Sequence, residues 1–230
     1  MPDAPGSVVL LSGGLDSATV LAIARQECGQ CHSLTFDYGQ RSRLELDCAR
    51  RVAESMDVTD HHVVSIPLGQ WGASSLTDES MAVPRSDPEE SEHTDIPSTY
   101  VPARNTIFLS YALAFAEATC LDRIYAGMSS VDYSGYPDCR PEYVEAFQHL
   151  ASLATKRGVT GNPVEIRVPL LHMSKAETVR KGLELGVDYS LTHSCYDPDE
   201  AGRACGQCES CRLRLRAFRE AGAADPIEYS

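Results

Sequence analysis

The sequence contains little lysine, little tryptophan and no long apolar run. Its 230 residues include one tryptophan, and Asp and Glu outnumber Lys and Arg by 33 to 20, which gives a formal net charge of −13. The only lysines are Lys156, Lys175 and Lys181. Proteins that follow a nucleic-acid backbone need a basic surface, so this charge balance argues against direct nucleic-acid binding. No segment approaches the roughly 20 apolar residues of a membrane-spanning helix, and we expect no membrane contact.

The first residues also lack the basic segment with which a secretory signal peptide begins. They lead at once into an apolar strand pattern, and we therefore expect a cytoplasmic protein. A hydrophobic share of 43% is ordinary for a globular protein with a core. The length favours one large domain, alone or with a small appendage.

Apolar runs of strand length alternate with helical patterns along most of the chain. The predicted strands are 7–11, 31–39, 61–67, 123–128 and 164–170, and the predicted helices are 16–27, 41–56, 103–119, 141–156 and 175–185. Repeated strand–helix units form parallel sheets with helices on both faces. We therefore predict a Rossmann-like α/β fold with a five-stranded parallel sheet. This domain is expected to span 1–190, with 191–230 as a small C-terminal segment packed on it.

Three segments carry more specific expectations. Helix 103–119 is apolar almost all round and is predicted to be buried. Segment 68–100 contains Gly, Ser, Pro and acidic residues without a clear period, which is typical of a functional lid or a mobile loop. The C-terminal part predicts another helix, whose Leu213, Leu215 and Phe218 are expected to pack back onto the domain.

A glycine-rich motif, Ser12-Gly13-Gly14-Leu15-Asp16-Ser17, lies between the first strand and the first helix. Paired glycines let successive N–H groups point into one concavity, and a helix N-terminus there favours an anion. The motif lacks the GK[ST] ending of the common nucleotide-hydrolase loop and is not the G-x-G-x-x-G dinucleotide turn. The plain alternative is a tight strand-to-helix turn. Because Asp16 would repel phosphate, we expect its carboxylate to cap the helix or to hold Mg²⁺.

We interpret this motif as an ATP-binding loop. Asp37 and Gln40 end the second strand, where contacts to the ribose or base of a nucleotide usually fall, so they join the predicted site. The predicted ATP-binding residues are Leu11, Ser12, Gly13, Gly14, Leu15, Asp16, Ser17, Ala18, Asp37 and Gln40.

Four of the nine cysteines, Cys195, Cys205, Cys208 and Cys211, have the spacing C-x9-C-x2-C-x2-C. Four thiolates suit a tetrahedral Zn²⁺ with no open position, which would be structural. Two disulfides, unrelated core cysteines or an iron–sulfur cluster are the alternatives. The pair Cys28 and Cys31 lacks partners at such spacing, so we predict no metal there.

The SGGLDS motif resembles the PP-loop signature of the ATP pyrophosphatase superfamily. Further motifs are DYGQR at 37–41, YVPARN at 100–105, VDYSGYPDCRPEY at 131–143, SKAE at 174–177, and SCY with CGQCESC within 194–211. Together they resemble, nearly end to end, the 7-cyano-7-deazaguanine synthase family, the QueC type of PP-loop enzyme. The resemblance implies the HUP-type, adenine nucleotide α-hydrolase-like form of the predicted fold.

The resemblance implies a carbon–nitrogen ligase with 7-carboxy-7-deazaguanine, ammonia and ATP as substrates. It implies that ATP, with Mg²⁺, adenylates the carboxylate, that ammonia gives the amide, and that a second adenylation leaves the nitrile. The product would feed queuosine or archaeosine synthesis. A homodimer is expected from the same resemblance and from the frequency of two-fold assemblies.

The candidate catalytic residues are Asp16, Ser17 and Lys175. Lys175 resembles the family's basic residue near this position, and it would contact phosphate and stabilise the leaving group; a solvated lysine at a helix start is the alternative. Arg104 and Asn105 would hold a carboxylate or phosphate, with helix capping as the alternative. The predicted substrate-binding residues are Arg104, Asn105, Asp132, Tyr133, Tyr136, Asp138 and Arg140. An Asp of the 132–140 loop would accept from the exocyclic amine and ring N–H of the deazapurine, and a Tyr would stack on it.

Two positions depart from the family pattern. His193 stands where a Trp is expected, and Ser42 stands where a His is expected. They leave room for a variant that joins the deazaguanine acid to a different amine. Other possibilities are a tRNA-modifying PP-loop enzyme, disfavoured by the acidic charge, a glutamine-dependent amide synthase, disfavoured by the lack of room for a glutaminase, and a non-enzymatic, zinc-stabilised nucleotide-binding module.

Overall fold

The computed structural model describes residues 4–85, 96–129 and 135–230. They contain a five-stranded sheet in the order β3-β2-β1-β4-β5, and each neighbouring pair is parallel. The strands are β1 (Gly6–Leu10), β2 (Gln30–Asp37), β3 (Asp60–Ser65), β4 (Arg123–Tyr125) and β5 (Glu165–Arg167). The predicted α/β fold with a five-stranded parallel sheet is therefore confirmed.

Seven α-helices accompany the sheet in the described part of the chain. They are α1 (Leu15–Glu27), α2 (Leu44–Ser55), α3 (Arg104–Ala118), α4 (Pro141–Ala154), α5 (Lys156–Val159), α6 (Lys175–Glu184) and α7 (Glu209–Ala221). Short 3₁₀ turns cover Leu68–Trp71, Pro137–Cys139 and Tyr189–Leu191.

Strand β1 lies in the middle of the sheet and contributes side chains to a hydrophobic core on each of its two faces. Successive side chains of a strand point to opposite faces. Val8 packs in the core that α3 and α4 cover, whereas Val9 packs in the core that α1, α2, α6 and α7 cover. Both valines are fully buried, so the continuous apolar run of the sequence corresponds to a central strand with helices on both faces.

Local sequence fixes the starts of α6 and α4. Ser174 and Glu177 form a capping box at the start of α6: Ser174 Oγ accepts from Glu177 N at 3.2 Å, and Glu177 Oε2 accepts from Ser174 N at 2.8 Å. Pro141 occupies the first turn of α4. The capping box fixes where Lys175 leaves the backbone, directly after the cap.

The prediction that helix 103–119 is buried is correct for only one face of the helix. In α3 only Leu109, Ala112, Leu113 and Ala116 are buried, and Tyr111 is 43% exposed. A helix on one face of a sheet buries one stripe and leaves its other side open in a single chain. For the same reason Leu215 of α7 is 39% exposed, while Phe218 is buried as expected.

The C-terminal segment contributes to the main core, because Ala217 and Phe218 belong to the same cluster as Val9. The division at residue 190 stays a prediction. Of segment 68–100, residues 86–95 lie outside the described residues. Within 68–85, Arg41 donates to the carbonyl oxygens of Ser75, Glu79 and Met81. None of the helices in the described ranges has the length and apolar character that a bilayer span requires.

Candidate functional site

A cavity of about 320 Å³ opens at the carboxyl edge of the sheet. The ends of β1, β2 and β4 form its floor, and the first turns of α1, α2, α3 and α6 form its sides. This is the edge where ligands bind in open α/β sheets. The predicted site residues that line it are Leu11, Ser12, Gly14, Leu15, Asp16, Ser17, Gln40, Arg104, Asn105, Tyr136 and Lys175.

The glycine-rich loop lies between the cavity and α2. Gly13 has φ +82°, and a Cβ there would be 2.3 Å from the carbonyl oxygen of Glu45. Only glycine fits this close passage under α2. Gly13 is not part of the cavity wall, so it shapes the loop from behind while Gly14 faces the cavity.

The two serines of the loop hold its shape. Ser17 Oγ donates to Gly14 O at 3.0 Å and accepts from Ser12 N at 3.1 Å and from Ser12 Oγ at 3.0 Å. Gly14 N donates to Ser12 Oγ at 3.3 Å. These hydroxyl groups therefore fix the loop before any phosphate binds.

Asp16 and Lys175 meet inside the cavity. Lys175 Nζ donates to Asp16 Oδ2 at 2.5 Å, and the lysine side chain is 20% exposed. The alternative of a solvated lysine is therefore wrong. The other carboxylate oxygen, Asp16 Oδ1, is buried and has no hydrogen-bond partner among the described residues. Capping of α1 by Asp16 is also excluded, because its N-cap is Gly14 and no side chain caps it.

The residues at the end of β2 divide between two roles. The Gln40 side chain braces the turn: Oε1 accepts from Tyr38 N at 2.8 Å and Nε2 donates to Phe36 O at 3.1 Å. Asp37 is outside the cavity wall and pairs with the exposed Arg43. Ala18 is buried in the core and likewise does not line the cavity.

Arg104 enters the cavity from the start of α3. Its Nη1 donates to the Tyr38 hydroxyl at 3.3 Å, and its guanidinium lies 5.7 Å from the centre of the Tyr38 ring. Burial raises the pKa of Tyr38 to about 12, so this hydroxyl stays protonated at neutral pH. Capping of α3 by Arg104 or Asn105 is excluded, because the N-cap of α3 is Ala103 and no side chain of that residue caps the helix.

The 132–140 loop is only partly described. Asp132 and Tyr133 lie outside the described residues. Asp138 is buried, and its carboxylate accepts from the backbone N–H of Asn105 at 3.1 Å. Arg140 Nε donates to Pro137 O at 3.1 Å. Neither Asp138 nor Arg140 lines the cavity, whereas Tyr136 does.

Several residues of the cavity wall were not predicted from the sequence. Glu45, on the first turn of α2, faces Arg104 and Tyr38, and burial raises the pKa of its carboxyl to about 7. The signal available in the sequence was its position near the start of a predicted helix, which follows a strand at the carboxyl edge of the sheet. The other unpredicted wall residues that carry polar groups are Tyr38, Arg41, Ser42, Ser129, Cys139, His193, Ser194, Tyr196, Ser210 and Arg214.

The four cysteines of the C-terminal segment converge. The Sγ atoms of Cys195, Cys205, Cys208 and Cys211 all lie within 4.8 Å of one another, and none of these cysteines is in a disulfide. Backbone N–H groups point at the sulfurs: Cys205 N donates to Cys195 Sγ at 3.2 Å and Cys208 N donates to Cys205 Sγ at 3.3 Å. Neighbouring thiols hold the pKa of Cys208 well below its usual range. The cluster could hold a metal ion, and the disulfide alternative is wrong.

This cysteine cluster adjoins the cavity. His193, Ser194 and Tyr196 flank Cys195 and line the cavity wall. His193 N donates to Gly13 O at 3.0 Å. The segment that carries the first cysteine thus also supports the glycine-rich loop. By contrast, Cys28 lies in the core with its Sγ 3.6 Å from the Tyr125 hydroxyl.

The chain is similar to known proteins over nearly its whole length. The family model of queuosine biosynthesis protein QueC matches residues 6–222. The 7-cyano-7-deazaguanine synthase of Frankia casuarinae is 59% identical over 96% of this chain and 93% of the relative. That of Nitrosococcus oceani is 55% identical over 98% of this chain and 99% of the relative. Among solved structures, NMN synthetase from Francisella tularensis has a TM-score of 0.49 at 16% identity, covering 96% of this chain and 79% of that chain. The match over residues 6–222, together with these near full-length relatives, shows that the chain belongs to the family of queuosine biosynthesis protein QueC.

Proposed function

We propose that the chain is an ATP-dependent ligase that converts 7-carboxy-7-deazaguanine and ammonia to 7-cyano-7-deazaguanine. Its relatives carry the name of that synthase at 54–59% identity. The observation that carries the proposal is the contact of Lys175 with Asp16 at the glycine-rich loop, inside a cavity that also holds aromatic side chains and Arg104. This arrangement offers an anion site and a place for a planar ring in one enclosure.

The first half of the reaction activates the acid. A carboxylate oxygen attacks the α-phosphorus of ATP, pyrophosphate leaves, and an acyl adenylate forms. The nitrogen of ammonia then attacks the acyl carbon, loses a proton, and expels AMP to give the amide. Backbone N–H groups of the loop and the Lys175 ammonium would stabilise the charge that develops on the phosphates.

The second half repeats this chemistry on the amide. The amide oxygen attacks the α-phosphorus of a second ATP, and pyrophosphate leaves again. Loss of the remaining N–H protons and departure of AMP leave the carbon–nitrogen triple bond. One cavity serves both halves, because each begins with an oxygen of the same substrate at the same phosphate.

Two metal ions fit the residues present. The buried, unpartnered Oδ1 of Asp16 suits a Mg²⁺ ligand, and Mg²⁺ would neutralise phosphate charge there. The four converging sulfurs suit a structural Zn²⁺; close thiolates also suit an iron–sulfur cluster, and metal analysis separates the two. We further propose that 191–230 is the zinc-binding segment, that the chain forms a homodimer, and that its product feeds queuosine or archaeosine synthesis.

Oxygen labelling tests the proposed reaction directly. The purified protein is given 7-carboxy-7-deazaguanine with ¹⁸O in both carboxylate oxygens, together with ammonium and Mg-ATP. Each AMP should carry one ¹⁸O, and the product should have the mass of the nitrile. Unlabelled AMP would show hydrolysis of ATP by water and would refute the proposal. A product with the mass of a substituted amide would favour the variant that uses a different amine.

Lys175 can be tested against a matched lysine on the same helix. Lys175→Met should lower kcat for pyrophosphate release by about a hundredfold or more, which is the usual loss when one transition-state donor is removed. Lys181→Met is the control, because Lys181 is 38% exposed and pairs only loosely with Glu184 at 3.8 Å. Equal rates for both variants would remove Lys175 from the reaction.

A further inference from the structure

The cavity contains a second carboxylate that has no hydrogen-bond or ion-pair partner among the described residues. Glu45 lines the wall from the first turn of α2. Its carboxylate makes no hydrogen bond and no ion pair to another described residue, and it interacts electrostatically with Arg104, Tyr38 and Cys48. Asp16, the other carboxylate of the wall, is engaged by Lys175.

This position is unfavourable for a carboxylate unless a ligand supplies donors. Burial raises the pKa of Glu45 to about 7, and the opposing effect of Arg104 is smaller. Glu45 is half-buried, and its carboxylate borders the cavity without a donor among the described residues. A polar group that loses water without gaining a partner costs free energy. Three molecules of the proposed reaction carry hydrogen-bond donors that could meet it.

The hydrogen-bonding pattern of Glu45 separates three candidates. A carboxylate offers two adjacent acceptors. The guanine-type edge of a deazaguanine presents two adjacent donors, the ring N1–H and the 2-amino group. The adenine edge of ATP presents one donor beside an acceptor, which would repel the second carboxylate oxygen. Ammonium is a cation, and the nearby positive charge of Arg104 would repel it.

On these grounds we propose that Glu45 is a specificity-determining residue that accepts hydrogen bonds from N1–H and the 2-amino group of the deazaguanine. The inference rests on the proposed function. It is supported by the aromatic wall beside Glu45, where the Phe36 and Phe108 rings stack at 4.0 Å and Tyr38 lies 5.6 Å from Phe108. A planar ring can stack on such a surface.

The same role was predicted for an Asp of the 132–140 loop. Asp138 is unsuited to it, because its carboxylate already accepts from the Asn105 N–H and does not reach the cavity. Asp138 thus supports the start of α3, from which Arg104 extends. Glu45, by contrast, lines the cavity and makes no hydrogen bond to another described residue.

The test is Glu45→Gln, which keeps the shape but replaces one acceptor with a donor. The KM for 7-carboxy-7-deazaguanine should rise about ten- to hundredfold, the range expected for lost hydrogen bonds to a charged group. The KM values for ATP and ammonium should stay unchanged. Asp47→Asn is the matched control: Asp47 carries the same charge on the same helix turn but is 66% exposed and pairs with Arg50.

Discrimination against a substrate analogue is a second measurement, and it would not change if Glu45 only supported the fold. The analogue lacks the 2-amino group but keeps the carboxylate. The wild-type protein should discriminate strongly against it, and Glu45→Gln should lose most of that discrimination. Thermal unfolding is a fold control, and the variant should be at least as stable as wild type because a desolvated charge is removed.

Three kinetic results would overturn the inference. A rise in the KM for ATP would assign Glu45 to the adenine, a rise in the KM for ammonium would assign it to that ion, and unchanged discrimination would remove it from the site. Calorimetric binding of the acid without ATP separates this inference from the proposed function. If wild type binds but never turns over and Glu45→Gln does not bind, only the proposed reaction fails; equal binding by both proteins, or by neither, overturns the role of Glu45.

Discussion

The buried ion pair of Arg214 and Asp225 gives a sharp stability prediction. The side chains are only 2% and 4% exposed. Arg214 Nε and Nη2 donate to the two Asp225 oxygens at 2.8 and 3.0 Å, and the remaining donors reach Thr192 Oγ1 at 2.8 Å, Ser194 Oγ at 3.4 Å and Tyr189 O at 3.1 Å. Every N–H of the guanidinium thus has an acceptor within the protein. Arg214 therefore ties Asp225 to the 189–194 segment and has no N–H left for a phosphate.

Asp225→Ala removes one partner and leaves a buried guanidinium with two unpaired N–H groups. Breaking a buried pair in this way costs about 3–5 kcal/mol. For a chain of this size, each kcal/mol lowers Tm by about 2–4 °C, so the expected fall is about 6–20 °C. Arg214→Met combined with Asp225→Ala should lose much less, because it removes both buried charges together.

Urea titration followed by circular dichroism measures the change, with thermal unfolding as a second assay. Asp199→Ala is the control, since Asp199 pairs with Arg203 at 2.8 Å but the two side chains are 26% and 49% exposed. Its expected cost is small, because exposed ion pairs contribute little to stability. If Asp225→Ala costs no more than this control, the buried pair does not hold the 189–194 segment and the reasoning is refuted.

Three further predictions concern the site. Removing the metal with a chelator should release about one zinc per chain and raise the KM for ATP, because the segment around Cys195 lines the cavity; a metal-free protein with normal ATP affinity would contradict this. Gly13→Ala should abolish activity, because its Cβ would lie 2.3 Å from the Glu45 carbonyl oxygen, and a pyrophosphate assay checks it. The KM for the acid should fall as pH rises through about 7, because Glu45 must ionise to accept, with Arg104 and a protonated Tyr38 beside it. A profile of KM against pH that is the same in Glu45→Gln would argue against that assignment.

The sequence predicted what depends on neighbours along the chain. The β1 run and the glycine-rich loop are local patterns with a fixed period or spacing, and both lie where predicted. Burial of α3 was overestimated because an apolar composition does not tell how many faces of a helix have neighbours.

The wall of the cavity could not be predicted in the same way. Glu45 is one acidic residue among several on an amphipathic helix, and the close packing of Gly13 against its carbonyl oxygen cannot be read from the sequence. Asp138 had the right chemistry for substrate binding, but the backbone N–H of Asn105 occupies its carboxylate. Both outcomes depend on contacts between segments that are distant in sequence.

Ser42 and His193, where the sequence departs from the pattern expected of the family, both lie in the wall of the cavity. Ser42 and His193 are 6% and 7% exposed, both line the cavity, and Ser42 Oγ and His193 Nε2 have no hydrogen-bond partner among the described residues. Buried polar atoms nearly always pair, so these two atoms are placed to bond a ligand or an ordered water. His193 is nevertheless held by its backbone, which donates to Gly13 O at 3.0 Å. Their unpartnered atoms therefore belong to the polar wall of the cavity, beside the glycine-rich loop and the contact of Lys175 with Asp16 rather than within either of them.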